Sequence, residues 1–192
     1  MQEKEIETFC PTSQQDWRQW LTENHSVKQS VWLIYHKKKT NRPSLSWSEA
    51  VDEALCFGWI DSTKRPIDED TFMQFFSKRK PKSVWSKINK DKVQQLIDNG
   101  QMMPAGHACI ETAKQNGSWT ILDLAEELEI PKDLEKAFKI QRGSKQFFLS
   151  LSKSARKSIL QWLMLAKRPE TRQKRINEIA ELAAQKLKPK QF

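Results

Sequence analysis

A chain of 192 residues buries about two-thirds of its unfolded surface on folding, so neither disulfides nor a metal is needed to hold it together. Five glycines and a charged fraction of 30% favour helices over a many-stranded sandwich. The three cysteines (Cys10, Cys56, Cys109) lack metal spacing and the three histidines (His25, His36, His107) supply no ligand pair on one helical turn, so the expectation is free thiols, a reducing compartment, no metal and no organic cofactor.

Met1-Gln2-Glu3-Lys4-Glu5 lacks the apolar core of an export signal, and no apolar run approaches the ~20 residues of a membrane span. A cytoplasmic protein without a membrane span is expected; its oligomeric state is left open. The formal charge of +9 is uneven: residues 132–192 carry 16 Lys and Arg against 5 Asp and Glu. Such a surplus suits an anionic partner (nucleic acid, anionic lipid or a phosphorylated ligand) or else a solvated lysine-rich surface. Eight tryptophans stand against one tyrosine, Tyr35, and most of them are expected as core anchors.

Thr12-Ser13 followed by Gln14, Gln15 and Asp16 is a helix start, and Trp17, Trp20 and Leu21 give that helix a buried face up to Asn24-His25. Residues 30–35, branched and aromatic, read as a strand. After a polar connection over 37–43, Ser46 or Ser48 caps a second helix with Ala50, Val51, Ala54 and Leu55 inward. It stops near 56–58, where Gly58 supplies a left-handed cap. Residues 59–65 and 71–77 then form a hairpin about the 66–70 turn.

From Ser86 the pattern is helical: Val93, Leu96 and Ile97 lie on one face before Asn99-Gly100, and Pro104 opens a further helix to Gly117. Residues 118–131 are an acidic connection, followed by helices at about 132–140, 143–150, 153–167 and 170–187. The fold class is α+β: a small, mostly antiparallel sheet wrapped by helices, with a helical C-terminal segment. A soft boundary separates an α+β domain over 1–131 from the segment over 132–192 packed on it.

Two stretches carry chemistry. Ala54-Leu55-Cys56-Phe57-Gly58-Trp59-Ile60-Asp61-Ser62 places a thiol, an indole, a carboxylate and a hydroxyl about one glycine. Cys56 lies near a helix C-terminus, where the dipole disfavours a thiolate, so core packing with Phe57 and Ile60 competes with a nucleophile there. The segment 78–90 carries six Lys and Arg residues around Trp85; cations contact phosphate, an indole stacks on a base, and the helix start after 83–86 binds anions. The alternative is a basic loop with Trp85 in the core. Arg168, Arg172 and Arg175 suit either an anion or docking onto the acidic Asp123, Glu126, Glu127 and Glu129, and docking is favoured.

Four stretches in order carry a resemblance: the 54–62 stretch above, Ser83-Val84-Trp85-Ser86-Lys87-Ile88-Asn89, Pro104-Ala105-Gly106, and Ala166-Lys167-Arg168-Pro169-Glu170-Thr171-Arg172 with Arg175-Ile176. Through them the chain resembles the YdeI/OmpD-associated proteins, also called the bacteriocin-protection family. The resemblance implies a link to outer-membrane proteins and to tolerance of stress or cationic antimicrobial peptides. It implies no established reaction or cofactor and carries no catalytic residues over.

The leading expectation is a non-enzymatic binding protein for an anionic ligand, nucleic acid among the candidates, held by Arg79, Lys80, Lys82, Trp85, Lys87 and Asn89, with Trp59 and Asp61 completing a pocket. One alternative is a small enzyme with Asp61 as acid or base and Cys56 or Ser62 nearby. Another is a protein-interaction module presenting a tryptophan-rich patch.

Overall fold

The computed structural model describes residues 6–192, so the reading of Met1–Glu5 lies outside the described residues. The chain divides into two compact units: residues up to Ser83 with Ile88–Ser118, and Val84–Lys87 with Trp119–Phe192.

The first unit holds the sheet. Helix α1 (Gln14–Asn24) starts where the Ser13 hydroxyl accepts the Asp16 N–H at 3.1 Å. Helix α2 (Trp47–Cys56) starts in a reciprocal Ser46/Glu49 capping box. Strand β2 (Ser30–His36) alternates strictly, with Val31, Leu33 and Tyr35 buried. Strands β3 (Trp59–Pro66) and β4 (Thr71–Lys78) form the expected antiparallel hairpin, with a register shift between Asp61 and Lys64. The Asp68 carboxylate closes its turn by accepting the N–H groups of Asp70 and Thr71.

The order is β1-β2-β4-β3, where β1 (Thr8–Phe9) runs parallel to β2 and makes the sheet mixed. Two residues are too few to show alternation, so β1 leaves no sequence signal. Aromatic packing ties α1 to the sheet: Trp17 lies edge-on to Phe76 at 5.4 Å and Trp20 edge-on to Trp59 at 5.7 Å. The buried Trp17 indole donates to the Ala50 carbonyl at 3.0 Å, so α1 and α2 are joined as well as packed. Removing one such indole costs roughly 3–5 kcal/mol. Helices α3 (Lys87–Asp98), all but its first residue, and α4 (Pro104–Gln115) complete this unit.

The second unit is helical: α5 (Asp123–Glu126), α6 (Lys132–Ile140), α7 (Ser144–Ser150), α8 (Lys153–Met164) and α9 (Pro169–Ala184). Its core joins Leu134 and Phe138, Phe148, Ile159, Leu160 and Leu163, and Ile176, Ile179 and Ala183. The acidic connection therefore contains a short helix. The expected docking of arginines on residues 123–129 is corrected. Arg172 grips Asp133 with two nitrogens, at 2.6 and 3.1 Å. Arg175 donates to the Trp162 carbonyl and stacks its guanidinium over that indole, and Glu126 pairs with Lys157 at 2.5 Å. Asp133 wins because α6 and α9 share a core that brings its first turn to Arg172. Among the described residues no helix is long and apolar enough to cross a membrane.

Candidate functional site

The 54–62 stretch is a helix-to-strand turn with a second helix seated on it. Helix α2 ends at Cys56, the Phe57 and Gly58 N–H groups satisfy the Ala54 and Leu55 carbonyls, and Gly58 turns the chain at φ +72°. The Cys56 carbonyl accepts the Met103 N–H at 3.1 Å just before α4 begins. A β-carbon on Gly58 would meet the Ala105 carbonyl oxygen at 3.0 Å and the Cys109 β-carbon at 3.2 Å. Glycine at 58 thus admits both the turn and the approach of α4.

Beside this junction lies a cavity of about 370 Å³, entirely within the first unit. Phe57, Trp59, Pro81, Ala105 and Ala108 make its apolar walls; His25, Lys78, Arg79, Cys109 and Thr112 supply its polar atoms. The Pro81 carbonyl accepts from the Asn116 amide at 2.7 Å and the Ser118 hydroxyl at 3.3 Å, which holds the segment after β4 in place. The Arg79 N–H donates to the Gly58 carbonyl at 2.9 Å, tying that segment to the turn.

Arg79 is only 9% exposed. Burial pushes its guanidinium down to about 10, against the smaller opposing pull of Cys109 and Asp61. Burial likewise raises the Cys109 thiol above its ordinary value, and Arg79 opposes that shift. Nδ1 of His25 lies 2.8 Å from the Leu21 carbonyl oxygen, which can only accept, so Nδ1 carries the hydrogen and Nε2 is the free ring nitrogen. The Trp59 indole donates to the His25 carbonyl at 3.3 Å, and the Lys78 ammonium donates to the Ser26 carbonyl at 2.6 Å. These two bonds hold the end of α1 against the ends of β3 and β4.

Of the residues singled out in the sequence, Trp59 and Arg79 come together on this cavity. Lys80 and Lys82 are exposed on either side of Pro81, which lines it. Asp61 does not line it: its carboxylate accepts from the Trp47 indole at 2.9 Å and the buried Gln74 amide at 3.0 Å. The Asp61 carboxylate is thus held by two side-chain donors.

Trp85 belongs to the second unit, where it is 1% exposed and packs on Trp119 at 4.9 Å, so its indole offers no face to a base. Lys87 opens α3 as an exposed residue of the second unit, and Asn89 is half-buried on the same helix in the first. Cys56 is wholly buried and its thiol is pushed up to about 11, chiefly by burial, which suits packing rather than nucleophilic attack.

Sequence reasoning missed His25, Cys109 and Thr112. The signal within reach was Gly106, a glycine inside a helix, which costs about 1 kcal/mol relative to alanine and so marks a close approach. No group of three or more metal-ligating side chains occurs among the described residues.

Residues 9–109, more than half of the chain, match the family model of a domain of unknown function, DUF8412, and this span contains every cavity residue but Thr112. Residues 127–186 match the family described as bacteriocin-protection, YdeI or OmpD-associated. Comparison with curated proteins gave no match, and comparison with solved structures gave none. The chain belongs to the DUF8412 family through residues 9–109, and its residues 127–186 are similar to the YdeI/OmpD-associated, bacteriocin-protection family.

Proposed function

We propose that this protein is a non-enzymatic binding protein for a small organic anion, held in the first-unit cavity by Arg79 with its apolar part against Pro81, Ala105 and Ala108. The observation that carries this reading is a guanidinium, 9% exposed, on the wall of a cavity of about 370 Å³ whose other faces are largely apolar. Away from bulk water, attraction between a cation and a bound anion is several-fold stronger than at an exposed site. A few placed polar groups on apolar walls are the ordinary composition of a small-molecule site. Exposed Lys80 and Lys82 add a positive field that draws anions toward it. A volume of this size suits a single small molecule rather than a polymer. The physiological setting suggested by family resemblance is tolerance to stress or antimicrobial peptides.

The test is calorimetric titration of the intact chain with small aromatic and aliphatic anions, and with single-stranded DNA, for the wild type and Arg79→Gln. Binding of a small anion that weakens at least about tenfold in Arg79→Gln, the worth of one charge-assisted contact, is expected. Equal affinity in both proteins, or binding of DNA alone, would overturn the reading.

A further inference from the structure

The two faces of the sheet differ in burial. Phe76 and Gln74 of β4 lie on the face where Trp17 of α1 packs and where Asp61 takes its bonds from Trp47 and Gln74. Alternation puts Phe75 and Met73 on the opposite face, beside their cross-strand partners Trp32 and Ile34 of β2. These are the two central strands of the sheet. Where both faces of a sheet are covered, its central strands are buried on both sides. Here all four side chains are only half-buried, while Val31, Leu33 and Phe76 on the first face are wholly buried. The Trp32 and Phe75 rings meet edge to face with centroids 5.0 Å apart. Arg65 of β3 reaches across β4 to lie over the Trp32 ring at 5.0 Å. It is exposed and pairs with no carboxylate among the described residues.

These strands and their connections are basic: residues 28–42 and 59–78 carry eight Lys and Arg against four Asp and Glu. Lys28 is neutralised by Glu7 at 2.6 Å and Lys39 by Asp70 at 3.0 Å. Asp61 lies on the opposite face, and Asp68 closes the β3–β4 turn with its carboxylate. We infer that this half-open face binds single-stranded nucleic acid, with unstacked bases on Phe75 and Trp32 and Arg65 against the phosphate that joins them. Every base has a flat π-face that stacks on an aromatic ring, and a duplex hides that face. A polyanion is drawn by the surplus cations. A second copy of the chain would bury the same rings, but it would set like charges against each other. The site is separate from the cavity, which none of Trp32, Phe75 and Arg65 lines.

The probe is a fluorescently labelled oligothymidylate of about 15 nucleotides, titrated with the intact chain and read by anisotropy from about 50 mM to about 200 mM salt. Binding that weakens as salt rises is expected, and pairing the strand with its complement is expected to weaken it further. Phe75→Leu keeps an apolar side chain and removes the ring; affinity is expected to fall at least about fivefold, the low end for one base–aromatic stack. Arg65→Gln is expected to weaken binding and to make the log–log salt slope shallower by about one. Lys153→Gln removes the same charge from an exposed site on α8 of the second unit and is expected to leave affinity unchanged. Circular dichroism confirms that each variant is folded.

No binding at the lower salt overturns this inference, as does unchanged affinity in folded Phe75→Leu or Arg65→Gln. Equal weakening by Lys153→Gln would reduce the binding to diffuse charge and overturns it too. Tighter binding of the duplex, or self-association through this face in place of oligonucleotide binding, does the same. Each of these outcomes leaves the small-anion cavity standing, because its own titration reads a different ligand and Arg79.

Discussion

Gly106 faces the backbone of Cys56 so closely that a β-carbon on it would stand 2.9 Å from the Cys56 carbonyl carbon. That contact seats α4 on the α2–β3 turn and sets one wall of the cavity. Gly58 makes the reciprocal approach, in a left-handed conformation.

Alanine at these two positions is therefore expected to cost more than alanine at Gly117. The latter shares a positive φ, +78°, but has nothing within 4 Å of the added carbon. Gly117→Ala carries only the left-handed strain of about 1–2 kcal/mol. Gly58→Ala adds the clash with Ala105, and Gly106→Ala forces α4 off the turn, an overpacking cost of about 1–3 kcal/mol or more. Chemical denaturation of the three variants gives the ranking. An equal loss in all three would mean that close approach plays no part.

The legible parts of this fold were those written locally. Ser13 and Ser46 announce two helix starts, β2 alternates residue by residue, and Gly58 marks the end of α2. What escaped depends on partners far along the chain. The reason for Gly106 lies at Cys56, and the Asp61 carboxylate is taken by Trp47 and Gln74 rather than by a ligand. Trp85 has the composition of a stacking residue, yet its burial and its contact with Trp119 withdraw it. Of the proposed site only Trp59 and Arg79 were named in advance; His25 and Cys109 sit on elements that spacing cannot bring together.

The three thiols should separate by access. Cys10 is exposed, Cys109 half-buried and Cys56 wholly buried. With a neutral thiol reagent at neutral pH, Cys10 is expected to react first, Cys109 more slowly, and Cys56 only after unfolding. Raising the Cys56 thiol from 9.0 to about 11 lowers its thiolate fraction about a hundredfold, on top of steric exclusion. The raised folded value contributes stability below the thiol's ordinary value of about 9.0, and that contribution is lost as pH rises through about 11. Mass spectrometry of peptides labelled under native conditions checks the order. Early labelling of Cys56 would contradict it.

Arg79 is expected to be required at the site. Burial holds its guanidinium down at about 10, so the unfolded chain binds the proton more tightly and the contribution of this group to stability improves as pH rises above about 10. Arg79→Met keeps the backbone bond to Gly58 and removes the charge. Loss of small-anion binding at neutral pH, read by calorimetric titration, is expected. Unchanged affinity would remove Arg79 from the site.

The Asp133–Arg172 pair tests which carboxylate anchors α9. The Arg172 guanidinium, through its hydrogen bonds, holds the Asp133 carboxyl below its ordinary value. A depressed carboxyl contributes stability above its unfolded value of about 3.9 and loses it as pH falls through the lower folded value. The Asp133 side chain is 41% exposed, so solvent screening limits the pair to about 1 kcal/mol despite its two-pronged geometry. Asp133→Asn and Arg172→Gln are each expected to lower stability by about that much at pH 7. As pH falls below the lowered folded value, the carboxylate is protonated in both states and the loss for Asp133→Asn should vanish. In a double-mutant cycle these two substitutions should couple. Glu126→Gln, whose carboxylate is engaged by Lys157 and Gln161 instead, should add independently to Arg172→Gln. Coupling of Glu126 with Arg172, and none with Asp133, would restore the acidic 123–129 segment as the dock for the arginines of α9.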